Sequence, residues 1–225
     1  MKTILLVLSL CAAVVVTPAN AADREWVDYN RLLEITRLDK FNSAPPAQRD
    51  KVRVFGTMTP KNKAIAPSDI VFTVVHNGER KRIAIGSDGK FDPAIDPAWI
   101  KANPKVLTNM PEGEKAGFSF GVSPVVPAGV QFDYAALMAS VQQGNALMKS
   151  QGGMMRFMLP TFVGIGLHYP RGQAASVRIQ SRLGDKTFSA DANGVLNLAL
   201  DESLLAANAH VTLSQRPQSF DMIAE

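Results

Sequence analysis

Short apolar segments bounded by glycine, proline and asparagine recur along most of this chain. Residues 52–58 (VRVFGTM) alternate between apolar and polar side chains, and residues 70–75 (IVFTVV) are rich in β-branched ones, so both predict strands. The predicted strands are residues 52–58, 70–75, 82–85, 91–95, 106–108 and 117–122, and then residues 158–169, 177–180, 187–190, 195–198, 211–214 and 220–223. Many short strands about ten residues apart are typical of antiparallel sandwiches.

Two other segments have the helical period. After Asp28, apolar residues recur three and four positions apart, which predicts a helix from Asp28 to about Phe41 with Asp28 as its N-cap. The same pattern follows Asp133 and predicts a longer helix to about Gln151, again with the aspartate as its cap. We therefore expect a mainly β protein with helices, of the α+β class.

One stretch of the pattern occurs twice. Residues 88–106 (DGKFDPAIDPAWIKANPKV) align without gaps with residues 193–211 (NGVLNLALDESLLAANAHV), and the same offset places Asp28 on Asp133 and Tyr29 on Tyr134. The identical pairs are Gly89/Gly194, Ala94/Ala199, Asp96/Asp201, Ala102/Ala207, Asn103/Asn208 and Val106/Val211. Self-similarity at a constant offset is typical of repeated units. We predict a tandem duplication of a β-sandwich-like domain, each copy fronted by a helix.

The predicted boundaries follow from this repeat. The first β-rich copy spans residues 23–123, a proline-rich linker spans residues 124–129, and the second copy spans residues 130–225. The order of strand, hairpin, D/N-G turn and F-x-x-x-I/L segment resembles the transthyretin-like and carboxypeptidase regulatory-like sandwich modules. The preceding helix departs from that pattern, so we carry over no residue role from the resemblance.

The first 21 residues read as a secretory signal. Lys2 precedes an apolar segment, residues 4–16, and residues 18–21 (PANA) end in an A-x-A cleavage pattern. We expect cleavage near Ala21 and a periplasmic or secreted protein with no transmembrane segment in its mature chain. The only cysteine, Cys11, lies within the signal, so the mature chain is expected to use neither disulfides nor cysteine-bound zinc.

The charge excess is small, but one cationic group stands out. The formal net charge of +4 falls to +3 when Lys2 is removed, which is too little to indicate a nucleic-acid partner. The cationic group comprises Lys61, Lys63, Arg80, Lys81 and Arg82, which hairpin geometry could gather at one end of the sandwich. It is either a solvated hairpin or a contact surface for anionic envelope lipid or polysaccharide.

Methionine and phenylalanine accumulate where the two copies differ most. The candidate residues are Met148, Met154, Met155, Phe157, Met158 and Phe162. Methionine fills irregular cores, and it also lines surfaces that accept varied apolar partners. The segment is therefore core filling, a groove for a lipid-like ligand or an apolar peptide, or a thioether site for Cu(I).

Signals for catalysis are weak. None of the three histidines lies opposite another in the repeat alignment, and no zinc-protease or phosphate-loop motif occurs. The one G-x-S-x-G string, residues 117–121 (GFSFG), lies within a predicted strand and not at the strand-to-helix turn that a nucleophile elbow needs. Asp96 and Asp201 each precede a predicted helical turn, so we expect N-caps and not a catalytic pair. We predict no catalytic residue, no metal and no cofactor.

We therefore expect an exported, non-catalytic binding or assembly protein of the bacterial-type cell envelope, with an unknown protein or an apolar ligand as its partner. A periplasmic carrier of an apolar or lipid-like ligand is the alternative, and an uncharacterised hydrolase is the second alternative. An enclosed apolar pocket would favour the carrier, a flat apolar patch a protein partner, and converging histidine and carboxylate groups an enzyme.

Overall fold

A computed structural model describes residues 23–151 and 160–225. The helices are α1 (Tyr29–Ile35), α2 (Leu38–Ser43), α3 (Pro97–Ala102), α4 (Tyr134–Gln151) and α5 (Glu202–Ala206). The strands of the first half are β1 (Arg24–Asp28), β2 (Val52–Pro60), β3 (Val71–His76), β4 (Glu79–Ala84), β5 (Lys90–Phe91), β6 (Lys105–Thr108) and β7 (Ala116–Pro124). Those of the second half are β8 (Gln131–Asp133), β9 (Phe162–His168), β10 (Ser176–Gln180), β11 (Lys186–Ser189), β12 (Val195–Ala199), β13 (His210–Leu213) and β14 (Ser219–Ala224). Short 3-10 turns occur at Pro46–Gln48 and Pro67–Asp69.

The strands form four antiparallel sheets, two in each half. The first half has the orders β1-β6-β3-β4 and β5-β2-β7, and the second half has β8-β13-β10-β11 and β12-β9-β14. The predicted α+β class is confirmed. Strand order is the same in corresponding sheets of the two halves.

Each half has its own hydrophobic core, to which its helix and both of its sheets contribute. In the first half, Tyr29 and Leu32 of α1 are fully buried beside Phe72 of β3 and Phe91 of β5. The Phe72 and Phe91 rings meet edge to face at 5.3 Å, so the two sheets are in direct contact. In the second half, the core is built from α4 and both sheets and includes Tyr134, Leu137, Val141, Ile165, Leu167, Val177, Ile179, Val211 and Leu213.

The two short helices begin in the same way. The Asp96 carboxylate accepts a hydrogen bond from the Ala98 amide at 2.8 Å, and the Asp201 carboxylate accepts one from the Ser203 amide at 2.9 Å. Both aspartates therefore satisfy a free amide of the first helical turn, and the predicted N-caps are confirmed.

The helix predicted from Asp28 to Phe41 is wrong in two respects. It breaks at Arg37, which has a left-handed φ of 59°, and the Thr36 hydroxyl donates to the Leu32 carbonyl at 2.7 Å just before the break. Asp28 occupies the N-cap position of α1, but its side chain makes no capping hydrogen bond. Its carboxylate instead pairs with Lys105 Nζ at 2.8 Å, because β6 lies alongside β1.

The strand predicted over residues 91–95 is also wrong, since β5 ends at Phe91. Pro93 has no amide to donate to a neighbouring strand. Ala94 adopts a left-handed φ of 50°, and its amide donates to the Asp92 carboxylate at 2.9 Å, which closes a local turn. Pro93 and the Asp92 carboxylate thus favour a turn here, although the spacing of apolar residues predicted a strand.

The halves meet in a third apolar cluster. Ala44, Val52 and Leu147 are buried there, packed by Phe41, Val122 and Met222. Beside this cluster, the Gln143 side chain of α4 accepts from the Lys51 amide at 2.6 Å and donates to the Asp50 carboxylate at 2.8 Å. Within the described ranges, no helix is both long and apolar enough to cross a membrane.

Candidate functional site

The outward side of the first four-stranded sheet carries an apolar strip between charged groups. Phe72 and Val74 of β3 point into the core, so strand alternation places Val71, Thr73 and Val75 outward. The register sets Val75 between Arg80 and Lys105, Thr73 between Arg82 and Leu107, and Val71 beside Ala84. We call these eight residues the first outer face, namely Val71, Thr73, Val75, Arg80, Arg82, Ala84, Lys105 and Leu107.

The strip itself is only partly covered. Val71, Val75 and Leu107 are half-buried, whereas Thr73 at its centre is buried. Arg82 on the β4 side is exposed. The strip therefore presents partly exposed apolar surface between charged side chains, which is the arrangement of an interface centre with a polar rim.

Ion pairs hold two of the cations of this face. Arg80 of the edge strand β4 pairs with Asp23, which precedes β1 at the opposite edge of the sheet, so this pair extends across the face. Lys105 pairs with Asp28, and this hydrogen bond and the charge of the carboxylate raise the pKa of the Lys105 ammonium. Both pairs are solvent-exposed, so they orient the side chains and contribute little to stability.

The corresponding face of the second half is polar. Val177 and Ile179 of β10 are buried, so alternation places Ser176, Arg178 and Gln180 outward. Thr212 lies beside Arg178, and Arg178 pairs with Asp185 at 2.6 Å. The sequence offset that aligns Tyr29 with Tyr134 also aligns Val71 with Ser176, Val75 with Gln180 and Leu107 with Thr212. The apolar strip is therefore a feature of the first half.

The predicted cationic group is divided by the sheet. Arg80 and Arg82 lie together on the first outer face, and Lys81 lies on the opposite side with its ammonium 5.0 Å from the centre of the Trp99 ring. Lys61 and Lys63 are exposed in the segment that follows β2, which belongs to the other sheet. The local sequence groups these residues, but alternation along β4 separates them.

The methionine-rich candidate segment is described only at its ends. Met148 packs partly buried against the second core, and Phe162 is 7% exposed. The Phe162 ring lies against Gly144 of α4, where an added Cβ would be 3.0 Å from Phe162 Cδ2. The described ends are thus core contacts. Met154, Met155, Phe157 and Met158 lie outside the described residues.

Two histidine–carboxylate pairs were missed by the sequence analysis. His168 Nε2 lies 3.0 Å from Asp221 Oδ2, and His210 Nδ1 lies 2.8 Å from Asp133 Oδ1. In each pair the partners come from neighbouring strands that are distant in sequence. Only the second pair could have been inferred from the sequence, because the repeat alignment places His210 on Lys105 and Asp133 on Asp28.

The chemistry open to these pairs differs. The pair of His210 and Asp133 repeats an ion pair of the first half, which indicates a structural role. His168 lies directly opposite Ser219, so a hydroxyl, an imidazole and a carboxylate are neighbours on the outer side of the sheet. Across residues 23–151 and 160–225, no group of three or more histidine, cysteine, aspartate or glutamate residues could hold a metal ion.

Comparison with known proteins identifies a family without a described activity. No curated protein and no solved structure matches this chain at a significant level. Residues 12–169 match the family described as "Protein of unknown function (DUF2987)". This match covers more than half of the chain and includes the first outer face, α4 and β9. The chain therefore belongs to the DUF2987 family.

Proposed function

We propose that this protein is an exported, non-catalytic binding or assembly protein of the bacterial-type cell envelope, and that a partner protein docks on its first outer face. The observation that carries the proposal is the partly exposed apolar strip of Val71, Val75 and Leu107 on the outward side of the first four-stranded sheet. Export rests on the signal-like residues 1–21, with cleavage expected near Ala21.

A protein partner suits this face better than an anionic surface does. Arg80 and Lys105 are already paired with Asp23 and Asp28, so two of the three cations of this face are largely neutralised. The apolar strip between them offers area whose burial is favourable at about 25 cal/mol per Å². A partner with a complementary apolar strip and a polar rim would cover it without leaving a buried charge unpaired.

We also propose that the two halves are tandem copies, residues 23–123 and 130–225, of a β-sandwich-like domain, joined by residues 124–129. The equal strand orders support this origin. So do the hydroxyl groups of Tyr29 and Tyr134, which bond the carbonyls of Ala94 and Ala199 at the same sequence offset. Under this proposal, shared residues hold the scaffold and partner binding lies where the copies differ.

Site-specific photo-crosslinking tests the docking proposal. Para-benzoylphenylalanine would replace Val75 or Leu107 in the full chain in its own cells, and Gln180 or Thr212 would serve as matched positions on the corresponding face of the second half. We expect a discrete crosslinked protein at positions 75 and 107, at least severalfold above positions 180 and 212. Equal labelling at all four positions, or none at 75 and 107, would refute the proposal.

A hydrolase remains a second candidate because one observation favours it. Ser219, His168 and Asp221 are neighbours on one sheet side, and Gly166 leaves room for the Asp221 carboxylate to reach the imidazole. Under this alternative, Ser219 would be labelled by a fluorophosphonate probe and the labelling would be lost in His168→Gln. Absence of labelling in the wild-type protein would remove the candidate.

A further inference from the structure

A polar cleft lies where α1 and α2 meet the edge strand β7. Its volume is about 620 Å³. It is lined by Arg31, Glu34, Ile35, Arg37, Asp39, Lys40 and Phe118, and we call it the elbow cleft. This volume lies within the range of small-molecule sites, roughly 300–1,000 Å³. The cleft belongs to neither the first outer face nor the histidine pairs.

The bend between α1 and α2 is made by an arginine in the left-handed conformation, which arginine rarely adopts. Arg37 has a φ of 59° between the two helices. The other described non-glycine residues with positive φ are three asparagines and one alanine. Asparagine tolerates this region, whereas a long side chain is strained there. Glycine would make the same bend without strain, so the Arg37 side chain is retained at a cost to the backbone.

The polar groups of the cleft are incompletely paired. Asp39 Oδ1 is buried and has no hydrogen-bond partner among the described residues. Its other oxygen is 3.8 Å from Lys40 Nζ, while Arg31 is committed to Glu34 at 2.9 Å. A buried carboxylate oxygen without a donor is unfavourable, and a strong donor to the other, accessible oxygen of Asp39 would offset part of this cost.

The corresponding part of the second half lacks these charges. When Tyr29 is aligned with Tyr134, the residues that line the cleft fall on uncharged residues of the second half. Helix α4 continues without a break through the positions aligned with α1 and α2. The corresponding residues of α4 are Ala136, Ala139, Ser140, Gln142, Gly144 and Asn145, and Phe118 corresponds to Ile223. The charged elbow is therefore not required by the arrangement of helix and sheets that both halves have.

We propose that the elbow cleft binds a small zwitterionic ligand with an apolar side chain, of the class of a short peptide with a free carboxy terminus. The ligand carboxylate would pair with Arg37 and Lys40, and its ammonium or amide N–H would donate to Asp39 Oδ2, the accessible oxygen of that carboxylate. Its apolar side chain would lie against Phe118 and Ile35. An inorganic anion would meet only the first of these three requirements.

Calorimetric titration of the full-length mature chain with the dipeptide alanyl-phenylalanine tests this assignment. We expect saturable binding that is lost for the carboxy-terminal amide of the dipeptide and is not reproduced by inorganic phosphate. The variant Arg37→Gly should weaken binding about tenfold or more, because a charge-assisted contact is lost. The same variant should raise the melting temperature, because glycine adopts the left-handed conformation without strain.

Matched variants make each outcome decisive. Asp39→Asn should weaken binding of the dipeptide, whereas Lys101→Gln, an exposed lysine of α3, should leave it unchanged. No saturable binding, equal binding of the amide or of phosphate, or unaltered affinity in Arg37→Gly would overturn the proposal. The docking proposal is judged separately, since Arg37→Gly should leave crosslinking at position 107 intact.

Discussion

Removing the hydroxyl group of Tyr134 should destabilise this protein more than the matching change at Tyr29. The Tyr134 hydroxyl donates to the Ala199 carbonyl at 2.6 Å and accepts from the Asp201 amide at 2.9 Å, so it joins α4 to the start of α5. The Tyr29 hydroxyl donates to the Ala94 carbonyl at 3.0 Å, with the Pro93 carbonyl farther away at 3.4 Å, and the Asp96 amide approaches it less closely than the Asp201 amide approaches Tyr134. Both rings are fully buried, so Tyr→Phe changes little besides these bonds.

The expected free energies follow from the bonds that are lost. One net hydrogen bond contributes about 1 kcal/mol, and a buried group left without a partner costs about 1–3 kcal/mol. Tyr29→Phe should therefore lower the free energy of unfolding by about 1 kcal/mol, and Tyr134→Phe by about 2–3 kcal/mol. Burial raises the pKa of Tyr29 to about 12 and also raises the pKa of Tyr134, so both hydroxyls are neutral at pH 7.

Urea unfolding followed by far-ultraviolet circular dichroism at pH 7 would measure the free energies of unfolding of the wild-type protein and of each variant. Tyr169→Phe is the matched control, because the Tyr169 hydroxyl is buried without a hydrogen-bond partner among the described residues. Its removal should leave stability unchanged or increase it slightly. The reasoning is refuted if Tyr134→Phe costs no more than Tyr29→Phe, or if Tyr169→Phe costs as much as either.

Two further variants test the contact between the halves and the packing within one of them. Gln143→Ala should cost about 1–2 kcal/mol at pH 7 through the lost bonds between the halves. Hydrogen bonds from the Lys51 ammonium and, second, from Gln143 hold the pKa of the Asp50 carboxyl below its ordinary value. The stability that these contacts confer is therefore fully present at pH values above the ordinary pKa of aspartate, and it is lost as the pH falls through the lowered pKa of Asp50. The free energy of unfolding that Gln143→Ala loses relative to the wild-type protein should therefore be smaller in acid. An equal loss at pH 7 and at pH 3, measured by urea unfolding, would contradict this account. Gly56→Ala would place a Cβ 2.4 Å from Phe91 Cζ, so it should lower the free energy of unfolding by about 1–3 kcal/mol, and an unchanged melting temperature would show that the ring moves freely.

Features with short-range causes could be predicted from the sequence. Asp96 and Asp201 cap helices because a carboxylate and the amide it binds are only two residues apart. Gly89 and Gly194 have φ values of 80° and 81° in their turns, a conformation that glycine adopts without strain. The α+β class followed from the same local periods.

Features that depend on a distant partner could not be predicted. The edge strands β1 and β8 have no clear alternation, and they exist because β6 and β13 offer free backbone groups beside them. Asp28 was expected to cap α1, but Lys105 is available only once β1 and β6 are paired. The pairing of His168 with Asp221 likewise needs β14 beside β9.

The amino-acid sequence alone determined the repeat pattern, the positions of most strands and the caps of the short helices, because each depends on residues close together in the chain. Only the tertiary structure decided which side chains share a face. It placed Lys81 over Trp99 and away from Arg80, and it opened a charged cleft at Arg37 where the period predicted an unbroken helix. The physical reason is that strand pairing and helix breaks are selected by the free energy of the whole packed domain, to which the local pattern contributes only one part.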